Sequence, residues 1–207
     1  MLIDLHPEIL TGLESIHLEA EHHVLFGKLP KDLLDRVLDD LWFERLWDQH
    51  PDEYHQILMH GRTVRTPRWQ VAYGRDYEYT GTVNSAAPVT ADIEPFLSWA
   101  QSSIAPSLNG ALVNFYDGSL GHYIGPHRDS NKNLDPAAPI VIVSTGEARI
   151  LRFRRWRGDG RKWDVLVEAG SVLVLPFQTN LVFTHEVPAS KRLTGRRISM
   201  TFRAFVS

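Results

Sequence analysis

From residue 111 onward the chain is a succession of short β-rich runs, and this rhythm restricts the fold more than any other feature. The runs cover 111–116, 139–145, 148–154, 163–167, 171–177, 181–187 and 196–205, with Gly146, the Gly158-Asp159-Gly160 turn and Gly170 separating several of them. Many short strands at such close spacing favour an antiparallel sandwich or jelly roll. Upstream the period changes. Leu33, Leu34, Val37, Leu38, Leu41 and Trp42 follow Pro30 at i, i+3/i+4 spacing and predict an amphipathic helix with one buried stripe. A second helix is predicted over about 93–104, with Thr90 or Asp92 as cap, Pro95 in the first turn, and Phe96, Leu97 and Ala100 facing inward. No repeat, low-complexity tract or linker interrupts the 207 residues. The expected class is therefore α+β, one catalytic unit whose helices buttress a β core.

Composition narrows the chemistry. The chain has no Cys, which excludes a disulfide framework, a zinc–thiolate site and a thiol nucleophile; any metal must sit on His, Asp or Glu. Residues 1–10 carry Asp4 and Glu8 without a basic, apolar leader pattern, and no eighteen consecutive residues are apolar. A soluble cytoplasmic protein without a membrane span is expected. The net charge of −3 hides an asymmetry: residues 1–60 hold 4 Lys and Arg against 13 Asp and Glu, and residues 61–207 hold 18 against 12. A basic patch in the later part suits phosphates, and ordinary solvated surface explains the same counts.

His127-Arg128-Asp129 places an imidazole and a carboxylate two residues apart, on one face of an extended chain. By itself this is equally a surface pair. His185, in an apolar run, is a third candidate ligand or a satisfied core histidine. Two His and one carboxylate on one face of an octahedral iron leave three positions for a bidentate cosubstrate and O2. The last run alternates fully: Ile198, Met200 and Phe202 make an apolar face, while Arg197, Ser199, Thr201 and Arg203 offer donors suited to a dicarboxylate, or a solvated edge. One hairpin is expected to return this strand from His185 to the iron.

Several segments together resemble the AlkB family of dioxygenases. They are Asn114-Phe115-Tyr116-Asp117-Gly118, Ile124-Gly125-Pro126-His127-Arg128-Asp129, the stretch from Ala138 to Gly146, His185, and Arg197 to Arg203. Upstream, 67–74 and 77–81 are similar to the family's substrate-lid segment. The resemblance spans about 57–205 and implies a double-stranded β-helix over 57–207, with 1–56 as an acidic, mainly helical extension packed on it. It implies that His127, Asp129 and His185 hold Fe(II), and that Arg197, with help from Tyr116, grips the distal C5 carboxylate of 2-oxoglutarate. Asn114 and Arg203 would contact the C1 end, and Tyr77 and Tyr79 would lie over the substrate. The implied reaction uses O2, converts 2-oxoglutarate to succinate and hydroxylates a C–H bond; on an N-alkyl carbon the product collapses to formaldehyde and the free amine. An alkylated base in DNA or RNA is the substrate class this implies.

Three departures bear on that implication. Asn131 stands where several nucleic-acid demethylases carry an acid, Ser199 replaces the Asn of the final motif, and the acidic first 60 residues lack a basic arm. The same chemistry on a small metabolite or protein side chain is therefore the competing expectation. A non-catalytic jelly-roll binding module is a third, against which the full ligand set argues. His122 reads as a loop histidine, and His22, His23, His50 and His55 as surface residues. Arg149, Arg152, Arg154, Arg155, Arg157, Arg161 and Lys162 flank the Gly158-Asp159-Gly160 turn as a phosphate-contacting or simply solvated hairpin.

Overall fold

The computed structural model describes residues 12–59, 61–79 and 82–206. Its centre is an eight-stranded sheet in the order β1 (Leu13–Glu19), β2 (His22–Lys28), β14 (Ser171–Leu175), β11 (Ile140–Gly146), β16 (Arg196–Arg203), β9 (Gly110–Asp117), β5 (Trp69–Tyr73) and β8 (Ala86–Ala87). A four-stranded sheet faces it, ordered β10 (Ile124–His127), β15 (Phe183–Val187), β12 (Arg149–Arg155) and β13 (Trp163–Val167). Every ladder is antiparallel except the short β5–β8 pair. This is the double-stranded β-helix. Two separate hairpins, β3–β4 (Gln56–Met59, Arg62–Arg65) and β6–β7 (Tyr77–Tyr79, Thr82–Asn84), stand outside the sheets.

The alternation of β16 sorts the layers. Ile198, Met200 and Phe202 turn outward to the helices and join Phe115, Val141 and Val143 in one apolar cluster. Against this face pack α2 (Asp40–Trp47), through Trp42 and Leu46, and α3 (Glu94–Ser103), through Phe96 and Ala100. The opposite face of the sheet, with Ile140, Ile142 and Leu173, meets Leu151, Phe153 and Phe183 of the small sheet. Between these layers lie Arg197, Ser199, Thr201 and Arg203, all buried rather than solvated.

Several expectations need correction. The single helix after Pro30 is two, α1 (Lys31–Val37) and α2, because Asp39 accepts the Leu41 N–H at 3.0 Å and caps a new start. Leu38 and Leu41 fall at this break and are exposed, not buried. In α3 neither Thr90 nor Asp92 caps through its side chain; the Thr90 carbonyl accepts the first N–H groups, and Asp92 pairs with Arg45. The described part of 1–56 is not mainly helical: β1 and β2 form a hairpin, and β2 adds to β14 with Val174 opposite Leu25. Val24 and Leu25 find an apolar seat at the edge of the large sheet that helical packing would not provide. The run 181–187 begins as the helix α4 (Phe177–Val182) after Pro176. Residues 67–74 are no lid, since β5 lies inside the large sheet. Finally, β15 and β16 are not a hairpin: they belong to different sheets, and residues 188–195 carry the chain across.

Candidate metal centre

The antiparallel register of β10 and β15 sets His127 opposite His185, and their rings lie 4.3 Å apart. A bulge between Ile124 and His127 re-aims the strand just before the ligand. Nδ1 of His127 lies 2.9 Å from the Gly125 carbonyl; donation there makes Nε2 the acceptor nitrogen of the ring. Oδ1 of Asp129 is 3.7 Å from Nε2 of His127 and 3.9 Å from Nε2 of His185. These distances are too long for hydrogen bonds, and Oδ1 is buried without a hydrogen-bond partner. Its other oxygen is saturated, for Arg203 donates to Oδ2 through Nε at 2.9 Å and Nη2 at 2.7 Å. The three ligand atoms lie within 4.8 Å of one another. One carboxylate oxygen is thus held by a guanidinium while the other faces two imidazole nitrogens, the arrangement a bridging cation requires.

The protonation states agree. Burial, then the neighbouring His185, pushes His127 down to about 3. Burial alone would raise Asp129, but the Arg203 charge, followed by the two imidazoles, outweighs it and holds the carboxyl at about 2. Both donors are therefore metal-ready near neutrality. An orphaned carboxylate oxygen with two neutral imidazoles fits Fe(II), and bound iron supplies the activation of O2.

A cavity of about 360 Å³ opens onto these ligands. Arg197 lines it, buried, with Nη2 donating to the Ser144 hydroxyl at 2.9 Å and its charge 5.0 Å from the Tyr116 ring centre. Its buried Nε and Nη1 have no hydrogen-bond partner, so donors remain for an anionic ligand in the cavity. Ser199 sits opposite Asn114 across the β9–β16 ladder, and both line the same cavity. Tyr77 is buried with its ring 4.7 Å from the Arg203 charge. The Tyr79 side chain lies outside the described residues. Asn131 is exposed and lines a second, adjoining cavity of about 330 Å³ that also touches His127 and Asp129.

Sequence reasoning missed several residues of the site. Asn180, in α4, accepts the Asp129 N–H at 3.0 Å and donates to the Asp129 carbonyl at 3.2 Å, clamping the ligand's backbone. Arg68 reaches the cavity wall and donates to Asn114 Oδ1 at 2.7 Å. Arg149 is not on a solvated hairpin but buried, paired with Glu147 at 2.7 Å. Together they fasten Gly195: Glu147 Oε1 accepts its N–H, while Arg149 and the Gly118 N–H donate to its carbonyl. This anchors the chain two residues before Arg197. His122 is likewise buried, accepting the Asp117 N–H at Nδ1 and lying 2.8 Å from the Tyr54 hydroxyl at Nε2. His50, expected on the surface, packs 4.4 Å from the Trp69 ring.

Comparisons with known proteins agree with this geometry. Residues 25–203 match the model of the 2OG-Fe(II) oxygenase superfamily. The chain is 29% identical to the mouse "DNA oxidative demethylase ALKBH2" over 210 residues, covering 97% of this chain and 85% of that protein. Identity to the human protein of that name is 28% over 196 residues, covering 90% and 73%. The solved structure of OsALKBH1 superposes with a TM-score of 0.63 at 16% identity, covering 92% of this chain and 99% of the other; this bears on the fold alone. The chain belongs to the 2OG-Fe(II) oxygenase superfamily and, within it, to the AlkB family, as a dioxygenase that uses Fe(II), 2-oxoglutarate and O2.

Proposed function

We propose that this dioxygenase removes alkyl groups from N-alkylated bases of DNA or RNA, a DNA-repair type of activity. The observation that carries the reading is the cavity itself, a slot with Tyr77, Tyr123, Ile57 and Val64 on its walls and the iron ligands at its floor. Aromatic and aliphatic walls suit a flat base turned out of its stack, with the alkyl group toward the metal. The two relatives named DNA oxidative demethylases support the same substrate class.

In this reading His127, Asp129 and His185 hold Fe(II), and Arg197 with Tyr116 grips the C5 carboxylate of 2-oxoglutarate. Asn114, Ser199 and Arg203 line the side where the C1 end comes, Arg203 also keeping Asp129 ionised and oriented. Tyr77 faces the base and Asn131 borders it, and Tyr79 is assigned to the substrate by the family resemblance alone. Residues 57–207 carry the catalysis and the acidic 1–56 segment supports it. Among the described residues no helix is long and apolar enough to cross a membrane. A cytoplasmic location is part of this proposal.

The test is formaldehyde release from methylated oligonucleotides by the iron-loaded protein, lost in Asp129→Ala. Consumption of 2-oxoglutarate with no oligonucleotide product would instead favour a small metabolite or a protein side chain.

A further inference from the structure

A second pair of imidazoles is brought together on the N-terminal hairpin. β1 and β2 pair with His17 directly opposite His23, so both side chains rise from the same face of the ribbon. Their ring centres are 6.0 Å apart and their planes are inclined at 47°. His22, one position along, points to the other face, where its ring packs 5.6 Å from that of Phe183, and it takes no part. The two members of the pair are held differently. His23 is half-buried, and its carbonyl accepts the Thr179 hydroxyl at 3.0 Å, which fixes that part of β2 against α4. His17 is exposed on β1, the outermost strand of the large sheet, which among the described residues pairs with β2 alone.

Two imidazoles on one tetrahedral ion, each nitrogen about 2.0–2.1 Å from it, have ring centres about 5 Å apart, so a modest turn of the exposed His17 closes a chelate across the strands. Burial first, then the charges of His17 and His22, lowers the basicity of His23 and keeps its ring in the neutral, ligating form near neutral pH. Glu19, beyond the bulge in β1, is committed to Arg155, which leaves the remaining coordination positions to water. Imidazole and water together suit a borderline d-block cation such as Zn(II), Ni(II) or Cu(II), whereas Mg(II) and Ca(II) need oxygen ligands that the pair does not provide.

We infer that His17 and His23 form a second metal site, separate from the iron centre, which takes a zinc-like divalent cation and staples the edge strand β1 to β2. The site stands whatever the iron centre oxidises. Calorimetric titration of the full chain with Zn(II) is expected to show two binding events, one at the iron ligands and one on the hairpin. His17→Gln, a change at an exposed position that leaves the packing intact, and His23→Gln should each remove one event and keep the other. Ca(II) should give no event that these substitutions remove. Zinc should also slow amide exchange along Leu13–Glu19 several fold in the unmodified protein and leave it unchanged in His17→Gln, because a cross-strand chelate resists fraying of the edge. Zinc binding that neither substitution alters overturns the inference, and so does slowing along β1 that is equal in the unmodified protein and in His17→Gln.

Discussion

The floor and the rim of the cavity are built on different principles. At the floor, β9, β15 and β16 are buried on both faces, and several side chains there are tied to a second: Arg203 to Asp129, Asn180 to Asp129, Ser144 to Arg197. At the rim the two hairpins β3–β4 and β6–β7 belong to neither sheet, and Leu58 and Val83 on them are exposed. A histidine–threonine contact, His55 Nε2 to Thr82 Oγ1 at 3.3 Å, bridges their neighbourhoods. Among the described residues the floor lies inside the two sheets and the rim outside them. The difference teaches that iron geometry is fixed by the two sheets, while in the proposed reading substrate choice falls to elements outside them.

Breaking the floor is expected to produce the largest effects. Asp129→Ala removes an iron ligand and leaves Arg203 buried without its carboxylate, a loss of about 3–5 kcal/mol in stability together with turnover. Anaerobic Fe(II) titration checks this; unchanged affinity would mean that the floor is no metal site. Arg197→Met should raise the KM for 2-oxoglutarate more than tenfold, worth about 2 kcal/mol or more, with iron binding retained. Succinate kinetics at saturating iron read this out. Asn180→Ala touches neither metal nor cosubstrate, yet freeing the Asp129 backbone should weaken iron binding by about 10–100-fold.

Rim variants should be milder and of another kind. His55→Ala is expected to raise the KM for oligonucleotide about two- to threefold while Tm moves by little, since one part-buried side-chain hydrogen bond is worth about 1 kcal/mol. A large fall in Tm would erase the contrast between rim and floor. The smallest effect concerns pH. Burial lowers the basicity of His122 below its ordinary value of 6.5, so the unfolded chain binds that proton more readily than the folded one. Stability from this residue is complete above pH 6.5 and declines as pH falls through and below it. Replacing His122 with Asn should flatten the fall in Tm between pH 7.5 and 5.5, and an unchanged slope would remove His122 as a contributor.

How legible each region was follows from how local its signals are. The ligand pair His127 and Asp129 is two residues apart, and the polar face of β16 is a period-2 pattern, so both could be read from neighbours along the chain. Asn180 could not, because its partner is 51 residues away and its helix hides in an apolar run that reads as strand. The buried Arg149 was lost among the arginines of its segment, for charge counts do not say which side of a strand faces inward. The N-terminal hairpin was hidden for a related reason: alternation marks a strand, but not the distant edge it completes.

The fastening of Gly195 by Glu147, Arg149 and Gly118 has a practical corollary. It works as a bolt between the crossing segment and Arg197, so the length and composition of 188–194 can vary without dragging the arginine off its mark. That stretch is accordingly the place where an engineer could graft a recognition loop onto this scaffold and leave its oxidative machinery undisturbed.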